Sequence, residues 1–451
     1  IREYPESRVY PYGIYKAAWC KYNMQDENGG IALLEQVIAY GHEKAAAGQV
    51  SVKLDLRKEA LGDLALFYSD ERKAEDAVTY FTTQARDLDA VPVILRLVEI
   101  YKRHAKYNEV DIVLRGILAK LPDSTQIALV HEELIWNADR LKRRDIAVKQ
   151  LETLNQMCDG MAEKQPGHAE CDAKVIEVSK KLGAKLHALW KKDRTAETAD
   201  LALRSYQLHL ENQTEAGKQS HEVAQVRYAF ADLLFARNRF REASTEYANV
   251  ELASKDAGKK GGFDLMQTDP KLSVDASYGA VVSLERAVGD AKWSDDDENQ
   301  FEKLASAYLK KAPNGPYALD LRFKKAFIAY EKEKYDKAAP DLKLIGWSKD
   351  NTTHPKVLKA QDLYLDILNI KKDYKTLKEA AQALLSRGLE KGREDQMAKI
   401  RREAWFAEVG EVESKGQHQQ AVSMYRAFAV ENKGSELGAR AWWNASQILF
   451  K

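Results

Sequence analysis

Small and large apolar residues recur along this chain in a two-part pattern with spacings of three and four positions. A small residue is followed three positions later by a large apolar one. After a short polar break, a second small residue is followed four positions later by an aromatic. Ala231, Leu234, Ala243 and Tyr247 show the pattern in full. Because spacings of three and four place side chains on one helical face, each copy predicts two amphipathic helices joined by a turn.

The pattern returns along most of the chain and blurs only near residues 171–220 and 263–312. Further copies lie at Ala65, Tyr68, Ala77 and Phe81; at Tyr101, Tyr107, Val110, Leu114 and Ile117; at Ile135, Ala138, Ala147, Leu151 and Leu154; at Ala326, Ala329, Tyr335, Ala338 and Leu342; at Leu365, Leu368, Tyr374, Leu377 and Leu384; and at Val412, His418, Ala421, Tyr425 and Phe428. Repetition at about 33–47 residues indicates a stacked helical array. In such an array small residues let helices approach closely, and large ones fill the remaining space.

These copies resemble the tetratricopeptide repeat family. The resemblance implies an all-α fold, an α-solenoid of antiparallel helix pairs in a right-handed superhelix with about 9–11 repeats. Ala338 and Leu377 lie 39 positions apart (377 minus 338), which exceeds the family's repeat of about 34 residues. The exact superhelix therefore stays open.

The opening copy carries a narrower resemblance. Residues 12–23, which include Ala18-Trp19-Cys20, and residues 31–38 are similar to tetratricopeptide proteins of bacterial envelopes. Such proteins are associated with the outer membrane, with envelope assembly or with gliding motility. The resemblance implies a periplasmic or outer-membrane-associated location.

Composition and charge exclude several classes of protein. Among the 451 residues, Lys and Arg number 70 and Asp and Glu 69, a net charge of +1, so no basic excess points to nucleic acid. No run approaches the roughly 18–20 apolar residues of a membrane span.

The chain begins at Ile1, and residues 1–7 and 435–451 look like parts of repeats, so we expect a fragment of a longer protein at both ends.

Glycine and acidic residues interrupt the pattern in places. The Gly-rich segment predicts an N-terminal array at 1–254, a loop or soft hinge at 255–272 and a C-terminal array at 273–451. The acidic run at 295–298 lacks the ligand spacing of a calcium loop. Ser294 followed by Asp297 instead predicts a helix N-cap with carboxylates in the first turn.

The three cysteines receive separate interpretations. Cys20 is expected to be a small buried apolar residue. Cys158 ends one predicted helix and Cys171 begins the next, so the two are a candidate disulfide, with two free thiols as the alternative. A disulfide implies an oxidising compartment. Zinc binding by Cys158, His168 and Cys171 lacks a fourth ligand and is not favoured.

The resemblance also implies that each repeat's first helix lines a concave groove with residues outside the packing pattern. These predicted groove residues are Tyr12, Tyr15, Trp19, Tyr22, Trp136, Arg140, Tyr228, Asp232, Phe235, Phe323, Phe327 and Tyr330. Aromatics at helical spacing are either core between repeats or anchors for a protein partner, and both interpretations stay open.

One class of partner is disfavoured. Family members that bind chaperone carboxylates place Lys, Asn or Arg in the groove. The corresponding positions here hold Tyr15 and Trp19, Gly62 and Leu66, Leu95 and Glu99, Glu132 and Trp136, and Asp362 and Asp366. An apolar or extended peptide, or a helix laid in the groove, is the expected partner.

No catalytic or phosphate-binding motif is present in the sequence. We therefore expect a non-enzymatic protein–protein interaction scaffold of a bacterial envelope complex, without cofactor or metal. The alternative is a cytoplasmic adaptor or regulator. A glycan-active solenoid enzyme would need clustered carboxylates, for which Asp362 and Asp366 are the candidate pair.

Overall fold

The computed structural model describes residues 7, 9–49, 55–162, 167–214, 217, 219–251, 264–289, 291–348 and 353–450. Across these ranges the chain forms 22 α-helices, one 3-10 helix and no strand. The prediction of an all-α array of helix pairs is confirmed. No helix in the described ranges combines the length and apolar character needed to cross a membrane.

The helices fall into two compact units. Unit 1 comprises Ile1–Arg239 and Asn249–Thr268, and unit 2 comprises Phe240–Ala248 and Asp269–Lys451. Residues 252–263, the centre of the predicted hinge, lie outside the described residues. The predicted division at 255–272 therefore stays a prediction.

The first half of the chain contains the helices α1 to α11. Their bounds are α1 Tyr10–Asn23, α2 Glu27–Ala46, α3 Arg57–Glu71, a 3-10 turn Ala74–Asp76, α4 Ala77–Ala85, α5 Val91–Arg103, α6 Tyr107–Lys120, α7 Ile127–Arg140, α8 Arg144–Asp159, α9 His168–Asp193, α10 Ala196–Glu211 and α11 His221–Ala236. Within unit 1 consecutive helices pack on each other, as expected for a repeat array.

The remaining helices are α12 to α22. Their bounds are α12 Phe240–Asn249, α13 Leu265–Thr268, α14 Pro270–Val288, α15 Asp295–Lys311, α16 Ala318–Glu331, α17 Tyr335–Gly346, α18 Pro355–Ile370, α19 Tyr374–Leu385, α20 Lys391–Ser414, α21 His418–Glu431 and α22 Glu436–Phe450. From α14 onward, each helix of unit 2 packs on the next.

The same turn joins several helix pairs. Gln25, Ala105, Lys142, Glu333 and Lys372 each have φ between 55° and 61° and lie two residues before a second helix. The next N–H donates back into the first helix, as from Lys106 to the Tyr101 carbonyl at 2.9 Å. This is the Schellman arrangement, which normally favours glycine. In these helix pairs, residues other than glycine occupy the left-handed position of the turn.

Side chains also fix where helices begin. The Oγ of Ser294 accepts the N–H of Asp297 at 3.1 Å, so the predicted N-cap of α15 is confirmed. Asp26 caps α2 by accepting the N–H of Gly29 at 2.9 Å. Such caps satisfy amide groups that have no partner within the helix.

The packing pattern accounts for the core of each unit. In unit 1, Ala65, Tyr68, Ala77 and Phe81 are at most 1% exposed, and unit 2 buries its own pattern residues at Ala338, Leu342, Leu377 and Leu384. The aromatics that begin second helices differ, because Tyr107, Tyr335 and Tyr374 are half-buried. The small residues therefore mark close helix contacts, and these helix-starting tyrosines lie nearer the surface.

Candidate partner-binding surface

The predicted groove residues differ from the packing residues in their exposure. Tyr12 and Arg140 are exposed, and every other predicted groove residue is half-buried. By contrast, the alanines of the packing pattern are buried, including Ala65, Ala326 and Ala421. Each predicted groove residue therefore keeps part of its surface accessible.

In unit 1 the rings of α1 lie against α3. The indole Nε1 of Trp19 donates to Asp63 Oδ2 at 2.9 Å, and the hydroxyl of Tyr15 donates to the same carboxylate. Burial, and then the bond to Asp63, raises the pKa of Tyr15. One carboxylate thus holds two aromatic side chains of the preceding first helix.

A second ring contact continues this surface. Tyr22 stacks on Phe67 with centroids 4.2 Å apart, and Trp19 meets the same ring edge-to-face at 5.3 Å. Asp63 and Phe67 were not predicted to belong here. Their four-residue spacing on α3 was the available signal, since it matches the spacing of Tyr15 and Trp19.

The middle copies place their predicted residues differently. The indole of Trp136 lies 3.4 Å from Glu132 on its own helix, and Glu132 pairs with Lys174 of α9 at 2.8 Å. The guanidinium of Arg140 lies 5.8 Å from the ring centroid of Tyr107 on α6. Tyr228, Asp232 and Phe235 on α11 are half-buried. Arg140 therefore contacts the preceding second helix through its planar cation.

In unit 2 the predicted residues cluster on α16. Phe323 and Phe327 stack with centroids 5.9 Å apart. The hydroxyl of Tyr330 donates to Asp366 of α18. That bond, together with burial, raises the pKa of Tyr330 to about 12. The linkage repeats the one between Tyr15 and Asp63 in unit 1.

Ion pairs also join successive first helices. In unit 1, Lys102 of α5 pairs with Glu133 of α7 at 2.8 Å, and in unit 2, Lys356 of α18 pairs with Asp320 of α16 at 2.5 Å. The sequence did not predict these pairs, because their separation varies with loop length. Partly exposed ion pairs contribute little to stability. They do place charged side chains between the aromatic residues on the face formed by the first helices of each unit.

A cavity of about 430 Å³ lies among α18, α19 and α20. Its lining includes Asp362, Leu365, Asp366, Leu377, Ile400, Glu403 and Ala404. The candidate carboxylate pair thus faces one cavity with Glu403, which the sequence had not suggested. Arg393 binds Asp362 at 2.6 Å, and Tyr330 binds Asp366.

The cysteines are arranged in two ways. The Sγ atoms of Cys158 and Cys171 are bonded at 2.02 Å, with their Cα atoms 5.6 Å apart, linking the end of α8 to the start of α9. The expectation for Cys20 was wrong, because its thiol is free and exposed. Cys20 lies two residues after the buried Ala18, so its side chain points about 200° away from that of Ala18 around the helix axis.

Over the described ranges, no three His, Cys, Asp or Glu residues form a group that could hold a metal ion.

Comparison with known proteins gives distant matches. No family model and no curated protein matches the chain. Among solved structures, a tetratricopeptide repeat protein from Parabacteroides merdae is 12% identical with a TM-score of 0.25, covering 68% of this chain and 97% of its own. Yeast Tom70 is 12% identical with a TM-score of 0.18, and the match covers 98% of this chain and 96% of Tom70.

A third similar structure is a Rap protein in complex with Competence and Sporulation Factor. It is 14% identical with a TM-score of 0.21, covering 93% of this chain and 97% of its own. These likenesses assign no partner or activity. The chain is similar to tetratricopeptide repeat proteins and is an all-α array of helix pairs.

Proposed function

We propose that the chain is a non-enzymatic scaffold that binds protein segments along the face formed by the first helices of its repeats. The observation that carries this proposal is the exposure of the predicted groove aromatics. Tyr12 is 50% exposed, and the stacked rings of Phe323 and Phe327 are only half-buried. Aromatic rings on an accessible face are favoured anchors for protein partners.

The state of the two candidate carboxylates supports the non-enzymatic part of the proposal. A paired-acid mechanism needs one carboxyl group free to transfer a proton and a second to act as base or nucleophile. Asp362 is held by Arg393 at 2.6 Å and Asp366 accepts from Tyr330. Both carboxyl groups are therefore engaged in contacts with other side chains of the chain.

We further propose that this scaffold belongs to a bacterial envelope complex, in the periplasm or at the outer membrane. Residues 12–23 and 31–38 support the location by their resemblance to envelope proteins. The bond between Cys158 and Cys171 is in line with an oxidising compartment.

The test is capture of partners from a bacterial envelope extract by immobilised protein. Two double variants remove half-buried rings, one pair in each unit: Tyr15→Ala/Trp19→Ala and Phe323→Ala/Phe327→Ala. Each is expected to reduce recovery of the captured protein at least tenfold, since hot-spot aromatics contribute about 2 kcal/mol or more. Thermal unfolding of each variant separates lost binding from lost folding.

Leu344→Ala provides the matched control. Leu344 is 59% exposed on α17, a second helix, so it offers similar apolar surface on another face. Wild-type recovery is expected for this control. Equal recoveries from wild type and both folded double variants would show that the aromatics are core between repeats, and the proposed binding face would be wrong.

A further inference from the structure

The cavity among α18, α19 and α20 combines a buried apolar wall with accessible carboxylates. Leu365, Leu377 and Ala404 are at most 5% exposed. The side chains of Asp362 and Glu403, which also line the cavity, are 41% and 56% exposed. Hydrocarbon therefore lies in the interior and negative charge lies toward solvent.

The charges around this cavity do not balance. No Lys, Arg or His is among its lining residues. Asp362 is compensated by Arg393 at 2.6 Å, and Glu403 faces Lys399 at 3.9 Å. The described contact of Asp366 is with a neutral hydroxyl, that of Tyr330. A hydroxyl donor stabilises a carboxylate without cancelling its charge, so the site favours a cation.

We propose that this cavity binds a lysine or arginine side chain of the partner segment, with its aliphatic stem on Leu365 and Ile400 and its cationic head at Asp366. This inference rests on the proposed function and names the chemistry of the partner at one position. Long basic side chains bury their methylenes while keeping the charge near solvent. The cavity lining includes apolar side chains for the stem and the carboxylate of Asp366 for the head.

Size and ligand geometry support an organic cation. A volume of about 430 Å³ exceeds that of a single ion and lies within the range of organic ligand sites, about 300–1,000 Å³. The carboxylates do not form a metal-binding group over the described ranges. A side chain that brings its own hydrocarbon fills the space that a bare ion would leave empty.

The experiment titrates the full chain, labelled at Ile, Leu and Ala methyl groups, with N-acetyl-lysine amide and N-acetyl-arginine amide. N-acetyl-norleucine amide, which has a similar stem and no charge, is the control ligand. The methyl signals of Leu365, Ile400 and Ala404 are expected to shift with the cationic ligands. The affinity for norleucine amide is expected to be at least fivefold lower.

Two variants test the role assigned to Asp366. Asp366→Asn is expected to weaken binding of the cationic ligands about tenfold, whereas Glu379→Gln, which removes an exposed carboxylate on α19 outside the lining, leaves it unchanged. Tyr330→Phe keeps the carboxylate and is expected to bind at least as well as wild type. This variant covers the case in which Asp366→Asn fails to fold.

Three results would overturn the proposal: absent shifts at these methyls, equal affinity for norleucine amide, or equal loss in Asp366→Asn and Glu379→Gln. The probe is a blocked amino acid and needs no partner protein. If the titration fails while capture of a partner still depends on the aromatic residues, only the ligand assigned to the cavity is rejected. If the cavity binds the cationic ligands but no partner is captured through the aromatic residues, only the proposed scaffold function is rejected.

Discussion

Tyr330 and Asp366 join two successive first helices of unit 2 through a hydrogen bond from the phenol to the carboxylate. Tyr15 and Asp63 make the same connection between α1 and α3 in unit 1. The sequence separations differ, at 36 and 48 residues. The two bonds are therefore tertiary equivalents that no fixed repeat length would reveal.

Removing the phenol from this bond should reduce stability. Tyr330→Phe is expected to lower the free energy of unfolding by about 1 kcal/mol, because a partly accessible carboxylate loses one donor and regains water. Urea unfolding measures the change. Tyr335→Phe is the control, since its hydroxyl donates no hydrogen bond within the described residues. Equal losses in both variants would contradict a specific contribution from Asp366.

Alkaline pH should destabilise the protein through its tyrosines. Burial raises the pKa of Tyr101 and of Tyr206 to about 12, and the bond to Asp366 does the same for Tyr330. An unfolded tyrosine titrates near about 10. The folded state therefore binds more protons than the unfolded state between these pH values. The contribution of these protonated tyrosines to the free energy of unfolding is complete below about pH 10 and is lost as the pH rises toward about 12.

Tyrosinate absorbance and denaturant midpoints along the same pH series test this expectation. The last part of the rise in absorbance, from the tyrosines with raised pKa, should coincide with loss of helical circular dichroism. Full ionisation near pH 10 in a protein that keeps its helices would show that these tyrosines are accessible, contrary to the structure.

Acid should act through His187. Burial, with Lys191 and Arg194 nearby, lowers the pKa of His187 to about 4. The unfolded side chain titrates near about 6.5. Because the unfolded state binds the proton first, the stabilising effect of neutral His187 is present above about pH 6.5 and is lost as pH falls toward about 4.

His187→Gln should flatten the dependence of the urea midpoint on pH between these values. Glutamine keeps a polar group near the Tyr206 hydroxyl, which lies 3.4 Å from Nδ1 of His187. His104→Gln, at an exposed position after α5, is the control and should keep the wild-type slope. Identical slopes in all three proteins would remove His187 as the source of acid sensitivity.

Glycine should stabilise the recurring turn. Glu333 has φ of 58°, and the left-handed region costs a residue with a Cβ about 1–2 kcal/mol. Glu333→Gly relieves that cost and loses part of the gain to chain entropy, so a net stabilisation of about 1 kcal/mol is expected. Arg322→Gly, in the interior of α16, should instead destabilise by about 1 kcal/mol. Thermal unfolding of both variants gives the two signs, and a shift in the same direction would contradict the argument.

Thiol alkylation should distinguish the cysteines. Cys20 is free and exposed, whereas Cys158 and Cys171 are bonded. Protein isolated from an envelope fraction under alkylating conditions should gain one label before reduction and three afterwards. Three labels without reduction would show both partners as thiols in the cell and would oppose an oxidising location.

The sequence by itself determined the all-α class, the helix pairs and the residues that pack them. Those features depend on local periodicity and on small residues such as Ala65 and Ala77, and they follow from the copies taken together. The cap at Ser294 is local in the same way. Only the tertiary structure decided which polar and aromatic groups meet: Tyr15 with Asp63, Tyr330 with Asp366, and Glu403 beside Asp362. These contacts cross helices whose loops differ in length, so their partners lie at no constant distance along the chain.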